Sequence, residues 1–319
     1  MNVLVTSISK KIPLLQAVKK AVLSIDSDSK LFGCDVNSNT IGRHFVDVFW
    51  QVPFLKDLSI DYLIQYCQQH DIRAIIPTRD GELSYFAAYK QRLEENNIHV
   101  MISSLDTITK MRDKWAFFHD LRERHLPVIE TAVDIEDIQA AYYVVKDRYG
   151  SGSMNMGLRV DRDTAKEIAE ELEHPIFQPY FQGKEFTIDM YVNKHQEVVG
   201  TVVRSRDYVV QGESQMSTVT EHPVLAEAAK RFSGKNGFYG HIVLQALENS
   251  EGEIAFIECN PRFGGASTLS IAAGLDSFYW FLQEVICGQE ITALQFNPVK
   301  GELQLIRYPQ DLILEKGGQ

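Results

Sequence analysis

The stretch Val144-Val145-Lys146-Asp147-Arg148-Tyr149-Gly150-Ser151-Gly152-Ser153-Met154-Asn155-Met156-Gly157 reads as a strand that ends in a lysine and runs into a loop of glycines and serines. Such a loop offers many unencumbered backbone N–H groups to polyphosphate oxygens, and Lys146 adds a point charge at the strand end. It is not a Walker A loop, because that motif places its lysine after the glycines. On this segment alone, a flexible hairpin tip with an ordinary surface lysine is an equal alternative.

Downstream, the apolar run Ile254 to Ile257 closes on Glu258-Cys259-Asn260-Pro261-Arg262-Phe263-Gly264-Gly265. Residues two apart on an extended chain share a face, so Glu258 and Asn260 can offer two oxygens to one hard cation, with Arg262 beside it to hold an anion. A strand end capped by an Asn-Pro turn is the plainer alternative, though it leaves the glutamate unexplained. A third segment, Gln178-Pro179-Tyr180-Phe181-Gln182-Gly183-Lys184-Glu185, reads as a short connector leading into a strand. Its exposed backbone can read a purine base, and Glu185 can accept hydrogen bonds from ribose hydroxyls.

Upstream, short apolar runs alternate with amphipathic segments, the pattern of a parallel sheet covered by helices. Asn2 to Thr6, Leu31 to Cys34, Ala74 to Pro77 and Val100 to Ile102 read as strands of a doubly wound unit of roughly 110 residues. Helices are expected around Ile12 to Val22, over Tyr62 to His70 and over Glu82 to Glu95. Ser7-Ile8-Ser9-Lys10-Lys11 stands where a dinucleotide fold needs its glycine fingerprint, which disfavours a nicotinamide enzyme. Trp115 to His125 reads as a helix before Pro127. Beyond it the strands Tyr142 to Lys146, Glu185 to Val192, Val198 to Arg204, Ile242 to Leu247 and Ile254 to Cys259 are antiparallel in character. The fold class is thus α/β followed by α+β.

The 319 residues carry a formal net charge of −11, unsuited to a surface that neutralises a nucleic-acid backbone. The four cysteines are far apart, and no apolar run is long enough for a membrane span. The expectation is a cytoplasmic protein that binds neither nucleic acid nor membrane.

In order and spacing, the three segments together with Asp113-Lys114 resemble the ATP-grasp superfamily, especially its carbamoyl-phosphate-synthase-like branch, over nearly the whole chain. The resemblance implies a pre-ATP-grasp domain over 1–110 and an ATP-grasp domain over 111–319, divided into a smaller lobe (111–178) and a larger one (179–319). It implies ATP with Mg2+, or Mn2+, as cofactors. Lys114 and Lys146 would contact phosphates, and Gly150, Ser151, Gly152 and Ser153 would form a mobile loop over them. Gln178, Pro179 and Tyr180 would take adenine, and Glu185 the ribose. Gln245, Glu258 and Asn260 would be the metal ligands, with Arg262 facing the transferred phosphate. By the same resemblance, Gln178 replaces an acid at the adenine contact, which would leave the base to backbone and amide oxygen, and Gln245 replaces an acid that many relatives carry, which would weaken one of two metal sites. The implied activity is a carboxylate–amine, or carboxylate–thiol, ligase acting on small molecules through an acyl phosphate, and a homodimer is left open. A nucleotide-binding regulatory protein of the same fold is the alternative. Arg204 and Arg206 alternate on one strand face, where they would hold a substrate carboxylate or the γ-phosphate, or else be solvated. Asp80 and Glu82 stand where open α/β sheets bind ligands and could receive an amine, though an acidic helix start is the safer reading.

Overall fold

The computed structural model describes residues 1–150 and 156–314. A parallel sheet comes first, in the order β3-β2-β1-β4-β5. Its strands are β1 (Asn2–Val5), β2 (Leu31–Asp35), β3 (Val48–Gln51), β4 (Ile72–Ile76) and β5 (His99–Val100). Helices α1 (Ile12–Ile25), α2 (Ile60–Gln69), α3 (Asp80–Glu94) and α4 (Leu105–Arg112) accompany it. Val3, Leu4 and Val5 are fully buried because both sheet faces are covered, which is why these strands read as continuous apolar runs. Strand order reverses between β1 and β4, so the ligand-accepting crevice of this unit lies at their carboxyl ends. β3 and α4 escaped the sequence reading.

Helix α5 (Lys114–Glu123) follows, with Asp113 at its N-cap accepting from the amides of Trp115 and Ala116 at 3.0 and 3.1 Å. A small antiparallel sheet in the order β7-β6-β8 comes next, built from β6 (Tyr143–Asp147), β7 (Gly157–Val160) and β8 (Pro175–Pro179) and covered by α6 (Arg162–Glu170). Tyr143, Val145, Ala165 and Phe177 form its core. Gln178 and Pro179 therefore belong to a strand, and the connector expected there is shorter, because the ladder to β6 runs on to Tyr143–Pro179.

The third sheet has six antiparallel strands in the order β13-β12-β9-β10-β11-β14. They are β9 (Lys184–Val192), β10 (Val198–Val210), β11 (Glu213–Val219), β12 (Gly240–Glu248), β13 (Ile254–Asn260) and β14 (Gln304–Ile306). Helix α7 (Pro223–Ser233) packs Leu225 and Phe232 against the face that carries Phe186, Ile188, Leu244 and Phe256. Helices α8 (Thr268–Ala272) and α9 (Ser277–Val285) cover one end of the opposite face. There Phe278 and Leu282 join a single core with Val3, Val5 and Leu15 of the first unit. That shared core fixes the crevice of the parallel sheet against the uncovered part of the six-stranded face.

Candidate active site

On that uncovered face, alternation and register align the polar side chains in rows. Glu258 pairs with Gln245, Gln245 with Thr187, and Thr187 with Arg204. Two residues along, Asn260 pairs with Val243 and Val243 with Asp189. The β12–β13 ladder shifts between Gln245 and Ala246, so Ile257 has no partner and the strand bends just before Glu258. Asn260 Nδ2 donates to Glu258 Oε1 at 2.6 Å. This leaves Glu258 Oε2 and Asn260 Oδ1 as adjacent acceptors, the latter taking a long hydrogen bond from Arg262 NH2 at 3.5 Å.

Facing them across a cleft lined by Asp80, Met111, Lys114, Glu258 and Asn260 is Lys114, one of the two lysines expected to contact phosphate, and Lys146 lies within the field of the same Glu258. Lys114 is buried at the start of α5, where Nζ donates to Gly150 O at 2.9 Å and Arg148 O at 3.4 Å. Burial lowers its pKa, against the opposing field of Glu258. Lys146, half-buried at the end of β6, makes no hydrogen bond or ion pair among the described residues. Burial lowers its pKa to about 8, with Glu258 opposing and Lys114 adding to the shift. A cation kept near a carboxylate without touching it is poised for an anion that is to come between them. Gly150 has φ +97°, open to glycine at no steric cost, while Ser151, Gly152 and Ser153 lie outside the described residues.

Gln178 is buried, and its amide nitrogen donates to Thr131 Oγ1 at 2.9 Å, leaving the amide oxygen for a base. Glu185 Oε1 stands 3.0 Å from Arg206 Nε. Burial raises the Glu185 pKa, and Arg206 pulls it back. Arg206 NH2 also donates to Gly212 O at 2.9 Å. Thr187 Oγ1, fully buried on the row between Gln245 and Arg204, has no hydrogen-bond partner among the described residues, a polar atom with unused capacity beneath the cleft.

Two sequence expectations need correction. Arg204 is only 2% exposed, and Nε donates to Asp189 Oδ2 at 2.7 Å. Asp189, itself fully buried, also takes hydrogen bonds from His241 at 2.9 Å, Ser270 at 2.8 Å and Ser267. Arg204 is thus neither a solvated arginine nor an open anion site. It is half of a buried ion pair that braces the sheet against α8. Glu82 is likewise committed: it is 1% exposed and accepts from Thr6, Ser7 and the amides of Thr78 and Arg79 at 2.6 to 3.0 Å. It ties β1 to β4 at the crevice and has no capacity left for an amine.

Asp80, by contrast, reaches the site. Arg262 Nε and NH2 each donate to an Asp80 oxygen at 2.6 Å, and NH1 donates to Phe263 O at 3.2 Å. This bidentate pair joins the parallel-sheet unit to the turn after β13 and raises the Arg262 pKa despite burial. The sequence reading placed both residues near a ligand but not against each other. Lys11, which it passed over, spans the crevice loops by donating to Ser7 O, Thr78 O and Thr78 Oγ1 at 2.7 to 3.1 Å, and burial lowers its pKa to about 8. A hollow of about 290 Å3 opens elsewhere, lined by Thr107, Lys110, Asp120, Lys235 and Asn236, but it gathers no such set of groups.

The oxygens at Glu258, Asn260 and Gln245 suit a hard cation, with one charge among them. Among the described residues no three His, Cys, Asp or Glu side chains converge as a closed metal cage. The set therefore fits an ion that completes its shell with phosphate oxygens and water, as magnesium does. Among the described residues no helix is long and apolar enough to cross a membrane.

Two family profiles match the chain in succession: "PylC-like, N-terminal domain" over residues 3–101 and "ATP-grasp in the biosynthetic pathway with Ter operon" over residues 171–304. Among solved structures, the fold is similar to the biotin carboxylase domain of Hydrogenobacter thermophilus 2-oxoglutarate carboxylase, a dimer in complex with MgADP, ADP and bicarbonate. The TM-score is 0.75 at 13% identity, covering 95% of this chain and 73% of that one. Biotin carboxylase from Campylobacter jejuni gives 0.74 at 15% identity, over 95% and 74%. N5-carboxyaminoimidazole synthetase from Staphylococcus aureus, complexed with ADP, gives 0.69 at 15%, over 91% and 78%. Identities this low establish the fold. An ATP-grasp profile thus matches residues 171–304, a PylC-like N-terminal profile precedes it over residues 3–101, and the fold is similar to that of these enzymes over nearly the whole chain.

Proposed function

We propose that this protein is an ATP-dependent ligase that activates a carboxylate as an acyl phosphate and couples it to an amine, releasing ADP and phosphate. The observation that carries the reading is Lys146, with no hydrogen bond or ion pair among the described residues, held within the field of Glu258, which pairs with Asn260 two residues before Arg262. Residues 111–178 serve as the smaller nucleotide lobe and 179–319 as the larger one. Lys146 and Lys114 receive phosphate oxygens. The Gln178 amide oxygen with the Pro179–Tyr180 backbone reads adenine, and Glu185, steadied by Arg206, takes the ribose. Glu258, Asn260 and Gln245 would hold magnesium, which would supply positive charge to offset the negative charge of the nucleotide phosphates.

The chain's own work is positioning and charge compensation. Lys146 and Arg262 stabilise negative charge on the transferred phosphoryl group while the substrate carboxylate attacks in line. The amine then displaces phosphate at the acyl carbon, where a closed cleft keeps water from competing. The three neighbouring enzymes are by name two biotin carboxylases and an N5-carboxyaminoimidazole synthetase, which agrees with this class without fixing the substrate.

The test is a screen of carboxylates against amines, read as ADP formation and then as product mass. One acid and one amine should together stimulate ATP consumption. If the protein binds MgADP but no acid stimulates turnover, it is a nucleotide-binding regulator. That second reading is favoured by Gln245 and Gln178, which stand where many relatives carry acids.

A further inference from the structure

The last strand of the six-stranded sheet brings to the cleft face an arginine that the ligase scheme does not use. β14 pairs with β11 through Met216–Ile306, Ser217–Leu305 and Thr218–Gln304, and the Arg307 amide extends the ladder by donating to Gln215 O at 2.9 Å. Ser217 lies opposite Arg206. Alternation therefore puts Leu305 and Arg307 on the face that carries Arg206, Glu185 and Thr187.

Arg307 NH1 donates to Glu213 Oε2 at 2.9 Å, with the arginine side chain 28% exposed. NH2 lies over Gly265, three residues beyond Arg262. A Cβ at Gly265 would stand 2.9 Å from NH2 and 3.8 Å from Cζ, so a side chain there would make the guanidinium shift from this position. Nε and NH2 donate no hydrogen bond among the described residues. Of the neighbouring arginines, the Nε–NH2 edge of Arg262 lies on Asp80, Nε of Arg204 lies on Asp189, and Arg206 faces Glu185 while its NH2 donates to Gly212 O. The same edge of Arg307 is open, and it is the edge that matches a carboxylate with two parallel bonds.

We propose that this edge of Arg307, seated over Gly265, receives a carboxylate of the organic substrate while another part of that substrate reacts beside Arg262. Glu213 already offsets the arginine's charge, so the subsite suits a monoanion. A phosphate dianion would meet Glu213 repulsion. The identification of the occupant as substrate rests on the ligase reading; the anion site itself does not.

The full chain, labelled with 15N-arginine and held with saturating MgADP, tests this. The Arg307 Nε–H resonance is assigned by its loss in Arg307→Lys and followed during titration with acetate, inorganic phosphate or sodium chloride at matched ionic strength. Acetate should shift it saturably, phosphate more weakly, and chloride not at all. Gly265→Ala, whose methyl would displace the guanidinium, should weaken the acetate response about tenfold or more. An acetate response no larger than that of chloride, or phosphate binding tighter than acetate, overturns the carboxylate subsite. With the acid found by the ADP screen, Arg307→Ala should raise its KM about tenfold to a hundredfold and leave the KM for ATP within about twofold. An equal rise in both also overturns it. If no acid stimulates ATP consumption but the acetate shift persists, the ligase reading fails and the anion site stands.

Discussion

Replacing Glu258 by glutamine keeps the side chain's size and lets Asn260 Nδ2 still donate to an oxygen at the position now 2.6 Å away. What it removes is the one negative charge in the set formed with Gln245 and Asn260, which must offset a cation's dehydration. A divalent ion polarising a phosphoryl oxygen contributes several kcal/mol of transition-state stabilisation. Losing about 3 to 4 kcal/mol of that lowers kcat roughly a hundredfold to a thousandfold. The same change removes the field that opposes the depression of Lys146 and Lys114, so the alkaline limb of the pH profile should move further down. Glu258 is only partly buried, so the melting temperature should fall by no more than a few degrees. Steady-state ADP formation against magnesium concentration, with circular dichroism melting alongside, separates the outcomes. Normal magnesium-dependent turnover in Glu258→Gln would refute the metal assignment, and a collapsed fold would show that the carboxylate serves structure.

Three further outcomes are expected. The Lys146 pKa is lowered from its ordinary value of 10.5 to about 8 by burial, so its charge costs stability below about pH 8 and that cost is relieved as pH rises towards 10.5. Phosphate binding needs the charged form, so nucleotide affinity measured by calorimetry should decline as pH rises through about 8. Lys146→Arg, charged throughout, should flatten that decline, and a flat wild-type profile would contradict the assignment. Asp80→Asn loses a bidentate, charge-assisted pair of about 1.5 to 3 kcal/mol, so thermal melting should drop by roughly 3 to 10 °C; no change would mean that the pair to Arg262 holds nothing together. Asp189→Ala leaves Arg204 and His241 beside a lost buried carboxylate and should destabilise by about 3 to 5 kcal/mol in urea unfolding. A cost under about 1 kcal/mol would show that the network is not what braces the sheet.

Side chains that act through local spacing were legible before the fold was known. Glu258 and Asn260 sit two apart on a strand, so their shared face follows from alternation alone, and the Asn260-to-Glu258 hydrogen bond is its direct consequence. Arg204 and Arg206 share a face by the same rule, yet their fates diverge through the register of the β9–β10 hairpin. Arg206 meets Glu185 at the open end of that hairpin. Arg204, opposite Thr187, reaches diagonally to Asp189 and is sealed by serines that arrive from α8. Nothing in either arginine's own neighbourhood carries that difference. Asp80 and Arg262 lie 182 residues apart in the chain, and only the shared core of β1, α1 and α9 brings them together. Arg307 was the least legible residue, because a three-residue edge strand has too few positions for alternation to register. Its one local trace is the second glycine of Gly264-Gly265. Strand-end geometry explains a turn there, and the guanidinium arriving from the far edge of the sheet lies where a side chain at Gly265 would push it aside.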